Sequence, residues 1–324
     1  VSATPLLQAL ARGETVSGTA LAQRLGVSRA AVWKQVERVR ALGLDVEAVA
    51  GRGYRLARAI EWLSADAIVA ALPGRRRAAV EVVFEVDSTS SELLRRARGD
   101  APSGSVLLAE RQTAGRGRRG RQWESPLGAN VYLSLLWRCE RGLAAMAGLS
   151  IAAGVAVQRA LQSLDVGGTA LKWPNDVVAG ARKLAGVLVE VGGEWSGQCH
   201  AVIGVGLNHA MPAGAAARIA QPWTDLHALC AGAPPSRDAV AAALIGAFDA
   251  VLAQFGREGL APFIAAWRRH DALAGVEIQL DEGGRRWNGR AQGIDAAGRL
   301  RVRLPDGTLR AVGSAEVSVR RRAR

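Results

Sequence analysis

No single hydrophobic pattern runs through this chain, and that is what most limits its fold. Residues 5–56 carry helical spacing and end in a hairpin, the middle mixes strands with long helices, and residues 272–324 repeat with period two. At 324 residues the chain also exceeds the size at which one core stops growing, about 250 residues. Composition shifts near residues 62 and 271, so three units are expected: 1–62, 63–270 and 271–324.

In the first unit Thr19–Leu25 reads as a short helix, Gly26-Val27 as a tight turn and Ser28 as the N-cap of a second helix. Val32, Val36 and Val39 fall at i, i+4 and i+7, which makes one buried face and leaves Arg29, Trp33, Lys34 and Arg38 outside it. Gly43 stands where a helix commonly ends. Val46–Val49 and Tyr54–Leu56 flank Gly51-Arg52-Gly53, a hairpin tip with one arginine at its apex. Two helices about a glycine turn, the second with a basic outer face and a hairpin behind it, describe a winged helix-turn-helix. A helical hairpin used only for packing or dimerisation stays open on these residues alone.

Strands are expected at 80–86, 105–111, 130–137, 168–173, 183–191 and 200–207, and helices at 88–98, 143–164, 238–255 and 258–269. This order favours an α+β sheet covered by helices. In the last unit Leu300, Val302 and Leu304 alternate with Arg299, Arg301 and Arg303. With Val276–Leu280, Trp287–Ile294 and Thr308–Val312 they predict a small β-barrel or sheet with a basic outer face.

No cluster of positive charge precedes the apolar residues at the N-terminus, so no signal peptide is expected. The uncharged stretch Gly142–Gln158 is short for a membrane span and reads as a buried helix, and Trp195–Ala217 is interrupted by Gln198, His200, Asn208, His209 and Pro212. Cys139, Cys199 and Cys230 show no C-x-x-C spacing, and the four histidines show no ligand spacing. The expectation is a reduced, cytoplasmic protein without a protein-built metal site or a membrane partner.

The 42 basic residues against 29 acidic ones give a net charge of +13, which favours anionic partners. Only Lys34, Lys172 and Lys183 among them are lysines. Gly115-Arg116-Gly117-Arg118-Arg119-Gly120-Arg121 formally contains G-x-G-x-x-G, but Pro126 and Gly128 follow, and no helix is expected to open there. Four arginines among three glycines suggest instead a mobile loop that closes on an anion, the alternative being an Arg-Gly tract that holds RNA loosely. Lys172-Trp173-Pro174-Asn175-Asp176 ends a strand in a rigid turn, and Lys183-Leu184-Ala185-Gly186 opens the next. The glycines of Gly204-x-Gly206-x-Asn208 permit close backbone approach. No P-loop, H-E-x-x-H or G-x-S-x-G is found.

Asp87-Ser88-Thr89, Gln112-Thr113-Ala114 with the glycine-arginine loop, Lys172–Asp176, Lys183–Gly186 and Gly204–Asn208 occur in this order. Together they resemble the bacterial biotin protein ligases, over nearly the whole chain. Ser28-Arg29-Ala30-Ala31 and the Gly51-Arg52-Gly53-Tyr54 wing resemble the bifunctional members, which also repress biotin synthesis genes. The resemblance implies a multidomain α+β chain: a winged helix-turn-helix, a class II synthetase-like ligase domain and a small SH3-like β-barrel. It implies ATP and biotin as substrates, Mg2+ on the ATP phosphates, and biotinyl-5′-adenylate as both intermediate and corepressor. The implied partners are the biotin carboxyl carrier protein of acetyl-CoA carboxylase, operator DNA and, with adenylate bound, a second copy of the chain.

By the same resemblance Lys183, Arg118 and Arg116 are catalytic. Ser88, Thr89, Ser90, Gln112, Arg116, Gly117, Arg118, Lys183, Gly186 and Gly204 match biotin-binding positions. Arg121, Lys172, Asn175, Asp176, Asn208 and Trp223 match the adenylate side, and Ser28, Arg29, Lys34 and Arg52 the DNA contacts. Ser90 departs from the pattern, since the family usually has Asn there, which puts the ureido contacts at that position in doubt. A lipoate-protein ligase would share the central fold, but the glycine-arginine loop and the N-terminal unit disfavour it. A regulator that senses biotin without catalysis would not need Lys183 and the arginine loop. A ligase whose helix-turn-helix regulates nothing stays open.

Overall fold

The computed structural model describes residues 5–74, 78–282, 285–313 and 317–321. The outermost residues of the expected units 1–62 and 271–324, namely 1–4 and 322–324, lie outside the described residues.

The N-terminal unit contains α1 (Pro5–Leu10), α2 (Gly18–Leu25) and α3 (Arg29–Ala41), then a hairpin of β1 (Val46–Val49) and β2 (Gly53–Leu56). Ser17 Oγ accepts from Ala20 N and Ser28 Oγ from Ala31 N, which satisfies amides that a first helical turn leaves unpaired. Gly26, between α2 and α3, adopts φ +63°, a conformation that costs any residue with a Cβ. Val32, Val36 and Val39 are buried with Leu6, Leu7, Leu10 and Leu21, so α1 adds a third helix to the expected pair. Arg29, Trp33, Lys34 and Arg38 are exposed, as their spacing predicts. This core also takes in Leu127, and Ile60, Trp62 and Phe84 pack against it.

The central part runs α4 (Ala65–Ala70), β3 (Val80–Val86), α5 (Thr89–Ala97), β4 (Val106–Gln112), β5 (Val131–Cys139), α6 (Leu149–Ser163) and β6 (Thr169–Lys172). It continues through β7 (Asp176–Ala179), β8 (Arg182–Gly193), β9 (Cys199–Leu207), α7 (Ala213–Ala216), α8 (Leu226–Leu229), α9 (Arg237–Glu258) and α10 (Ala261–Arg269). The seven strands form one sheet in the order β3-β4-β5-β9-β8-β7-β6, in which β3 and β4 are parallel and every other pair antiparallel. All six expected strands are present. The seventh, β7, was hidden because its four residues follow directly on the Trp173–Asn175 turn. The expected helix 143–164 is interrupted: a 3-10 turn at Leu143–Met146 is followed by Gly148 at φ +80°, where a Cβ would run into Leu260.

One face of the sheet, including Leu133, Val187 and Val205, shares a buried cluster with Ala152 and Ala156 of α6 and Ile245 and Phe248 of α9. Both helical segments, Leu143–Ser163 and Arg237–Glu258, are long and apolar enough to cross a membrane by length and composition. Their apolar residues are used here in the core. On the opposite face α5 covers Leu107, Leu136 and Val202 through Leu93 and Ala97.

The C-terminal part is a five-stranded antiparallel sheet of β10 (Glu277–Glu282), β11 (Arg285–Ile294), β12 (Leu300–Arg303), β13 (Leu309–Val312) and β14 (Val317–Arg321), in the order β13-β12-β11-β10-β14. Leu300 and Val302 are buried and Arg303 is exposed, as period two requires. The interior of this sheet is continuous with the central core. Trp173 Nε1 donates to Gly298 O at 3.0 Å, tying the turn after β6 to the β11–β12 connection.

Candidate active site

Next to the start of α5, the sheet face not covered by α6 and α9 has a floor built from glycines. Gly204 on β9 pairs with Ser134 on β5 and Leu188 on β8, and Gly206 pairs with Gly186. Residues two apart on a strand share a face, so Gly204, Gly206 and Gly186 form one shallow bed. The Trp123 indole lies over it: a Cβ at Gly206 would overlap the ring, and one at Gly186 would stand 3.1 Å from it. Side chains at these positions would collide with the indole, which is the flat group that the bed holds here.

One wall is polar and comes from the start of α5. Ser88 Oγ caps the helix by accepting from Ser91 N. Asp87 accepts two bonds of 2.8 Å from Arg95, which hold its carboxyl below the usual carboxylate range and fix the turn into the helix. The next two residues face the bed. Thr89 N and Oγ1 both donate to Gln112 Oε1, and the Thr89 and Ser90 hydroxyls lie 2.8 and 2.9 Å from Ser134 Oγ. Gln112 Nε2 donates to Ser125 Oγ, which donates to Trp123 O. Thr89, Ser90 and Ser134 are buried, so the chain maintains a hydroxyl cluster inside an otherwise apolar sheet.

The other end is cationic. Lys183 Nζ stands 2.7 Å from Asp176 Oδ1 and 5.2 Å from the centre of the Trp123 ring. Arg118 donates to Asn175 Oδ1 at 3.2 Å, and Asn175 Nδ2 donates to Val187 O. Burial pushes the Arg118 guanidinium below its ordinary value, and the Asp176 charge opposes that shift. At neutral pH it still carries its proton. Lys183 N donates to Pro222 O and Thr224 N to Lys183 O, so the backbone around Trp223 is laced to the lysine strand. Asn208 Nδ2 donates to Thr224 O at 3.0 Å. Asn208 Oδ1, Thr224 Oγ1 and Trp123 Nε1 are buried without a hydrogen-bond partner. Three such atoms around one site mark polar positions that a ligand can satisfy.

The structure thus gathers Thr89, Ser90, Gln112, Arg118, Asn175, Asp176, Lys183, Gly186, Gly204, Asn208 and Trp223 about one concave face, with Lys172 at its edge opposite Asp176 in the β6–β7 ladder. Four expected residues stand outside this group: Ser88, the cap of α5, and Arg116, Gly117 and Arg121 of the loop. Arg116 makes a two-pronged contact with Glu190 at 2.6 and 3.2 Å and donates to Ser91 Oγ, and Arg121 is exposed. Gly117 N donates to Arg121 O, which closes the loop on itself around Arg119 and Gly120, both at positive φ. Ser28, Arg29, Lys34 and Arg52 lie in the N-terminal unit, where Ser28 is the cap of α3. Sequence reasoning missed Ser134, Ser125 and Thr224 as site residues. The signal for Ser134 was present, the one serine within the apolar run Val131–Trp137.

Three family models match in chain order: HTH domain at residues 4–55, Biotin/lipoate A/B protein ligase family at 83–208 and Biotin protein ligase C terminal domain at 275–320. The chain is 40% identical over 315 residues to the Bifunctional ligase/repressor BirA of Escherichia coli (strain K12), covering 97% of this chain and 96% of that one. It is 30% identical to the Bifunctional ligase/repressor BirA of Bacillus subtilis (strain 168), covering 95% of each. The solved structure of biotin protein ligase from Aquifex aeolicus in complex with biotin and ATP superposes with a TM-score of 0.64 at 25% identity, covering 76% of this chain and all of that one. With its three units matched in order and its identity sustained from end to end, the chain belongs to the biotin protein ligase family, among the bifunctional ligase/repressors.

Proposed function

We propose that the chain joins biotin to ATP, passes the biotinyl group from the resulting adenylate to a lysine of the biotin carboxyl carrier protein of acetyl-CoA carboxylase, and represses biotin synthesis genes while the adenylate is unused. One observation carries the assignment of residues. A buried hydroxyl-and-amide wall and a lysine-arginine end face each other across a glycine bed, under one tryptophan.

The bicyclic ureido end of biotin takes the wall of Thr89, Ser90, Gln112 and Ser134, and its aliphatic tail displaces the Trp123 indole from the bed and runs toward Lys183. A carboxylate oxygen of biotin then attacks the α-phosphorus of ATP, the bond from that phosphorus to the bridging oxygen breaks, and pyrophosphate leaves. Both reactants are anions. At about 4 Å like charges repel by about 1 kcal/mol in water and about 4 kcal/mol at an effective dielectric near 20. Lys183 and Arg118 offset that repulsion and stabilise the charge that builds at phosphorus. Lys183 leaves Asp176 for the carboxylate, and Asn208, Thr224 and Trp223 face the adenosine. In the second step the acceptor lysine amine attacks the acyl carbon and AMP leaves.

Among the described residues no three His, Cys, Asp or Glu converge as a metal cage. Magnesium commonly uses one or two carboxylates together with phosphates and water, which the single Asp176 beside the phosphate end fits. When bound it would neutralise phosphate charge. Arg116 and Arg121 join the site when the 115–123 loop folds over the adenylate and keeps the mixed anhydride from water.

The N-terminal unit binds operator DNA, with Arg29, Lys34 and Arg52 toward the duplex, and the adenylate-loaded chain acts as a homodimer in the cytoplasm. A pairing edge is available for the dimer, since β7 pairs with β8 only as far as Gly186 and Val191 is 49% exposed. We also assign the unit boundaries 1–62, 63–270 and 271–324.

The test is to mix the chain with Mg-ATP, biotin or lipoate, and carrier domain, and to follow carrier mass and pyrophosphate release. Biotinylation that Lys183→Gln suppresses supports the assignment, and transfer of lipoate in preference to biotin overturns it. Limited proteolysis within 115–123 reports the loop: equal cleavage with and without biotin plus ATP removes its closing role.

A further inference from the structure

We infer that Trp33 reads thymine methyl groups in the major groove of the operator, an inference that rests on the DNA-binding reading above. In a helix-turn-helix the first turns of the second helix approach the base edges. Trp33 stands in the second turn of α3, one turn beyond Arg29 and beside Lys34. It is 54% exposed, and among the described residues it is the only large apolar side chain that the N-terminal unit exposes. The unit has no packing use for it: Val32, Val36 and Val39 supply the buried face of α3.

The charged neighbours divide into two groups. Arg40 is occupied by Glu37 at 2.6 Å and by Val46 O, which fastens α3 to β1, and Arg55 is occupied by Glu47 across the wing. Arg29, Lys34 and Arg38 are exposed on α3. Such cations on phosphates fix position and register but carry no sequence information. An indole differs, because it offers an apolar face and one N–H donor. The apolar feature that the major groove displays is the C5 methyl of thymine. An exposed indole flanked by phosphate-seeking cations is therefore placed to prefer thymine at one or two positions of each half-site.

The experiment uses the full chain with biotin and Mg-ATP. Genomic fragments retained by the wild type supply the bound sequence, which is then remade with single thymine-to-uracil replacements that remove only the methyl group. Trp33→Ala should weaken binding to the retained fragment about tenfold, while binding to random DNA, its salt dependence, the dimer state and carrier biotinylation stay as in the wild type. One or two uracil replacements per half-site should weaken the wild type similarly and cost Trp33→Ala nothing further, and Trp33→Phe should keep part of the preference. Wild-type affinity in Trp33→Ala, equal losses on random and retained DNA, or uracil losses undiminished in Trp33→Ala would each overturn the inference. If the wild type retains no specific fragment, the operator reading itself falls and the role of Trp33 falls with it.

Discussion

Arg237→Met is the substitution that most directly tests how the central sheet holds the linker to the N-terminal unit. The guanidinium is 2% exposed and makes four hydrogen bonds, to Glu110 Oε2 at 2.7 Å, Glu61 O at 2.8 Å and Asn130 O at 2.7 and 3.0 Å. The other oxygen of Glu110 accepts from Leu63 N at 2.6 Å. One buried ion pair thus binds α9, β4, the start of β5 and the linker that follows the DNA-binding unit. Methionine keeps much of the aliphatic volume but strands Glu110 as a buried carboxylate and leaves two carbonyls without donors. Removing one partner of a buried pair costs about 3–5 kcal/mol, a large part of the roughly 5–15 kcal/mol typical of a folded domain. Urea unfolding followed by circular dichroism measures this as a lower midpoint. Adding Glu110→Gln removes the stranded charge, so the double variant should be more stable than the sum of the two single losses, by about 1–3 kcal/mol. The linker at residues 57–63 should become sensitive to protease in Arg237→Met before the central sheet unfolds. A change below about 0.5 kcal/mol, the background of ordinary surface substitutions, would refute the role given to this pair. So would strict additivity with Glu110→Gln.

Three further outcomes are expected. Lys183→Gln should lower the rate of pyrophosphate release by about 10²–10³-fold, the scale of losing one charge-stabilising donor, while biotin affinity measured by calorimetry changes far less; equal losses in both would assign Lys183 to binding alone. Gly204→Ala places a Cβ against Ser90 Oγ, which is bonded to Ser134, so KM for biotin should rise about tenfold, on the scale of one lost hydrogen bond, with kcat retained. An unchanged KM would take the hydroxyl wall out of the biotin site. Burial pushes the His209 imidazole below its ordinary value, and Nε2 sits 2.8 Å from Pro235 O, where the neutral ring donates. The folded state therefore disfavours the proton that an unfolded histidine takes up near pH 6.5. The stabilisation is complete above that pH and declines as pH falls below it. The urea midpoint of the wild type should thus fall more between pH 7.5 and 5.5 than that of His209→Gln, and parallel profiles would refute the assignment.

Sequence alone determined what depends on neighbours along the chain. The Ser28 cap, the valines of α3 and the Gly26 turn are local hydrogen-bonding and conformational preferences, so the helix-turn-helix was legible. The alternation at Leu300 and Val302 was legible for the same reason, because period two follows from the pleat of one strand. Lys172 and Lys183 stand out because lysine is scarce in this chain, and the loop at 115–121 because every residue in it is glycine or arginine. Tertiary structure alone decided who meets whom. Ser90 finds Ser134 across 44 residues, Arg116 turns to Glu190 across 74, and Arg237 finds Glu110 across 127. The Arg116 contact depends on β9 inserting between β5 and β8, and the other two on α5 and α9 packing against the sheet, none of which a local preference specifies. The sheet order also explains why Arg116 pairs with Glu190. Its charge is neutralised locally by a carboxylate that only the sheet order brings within 2.6 Å.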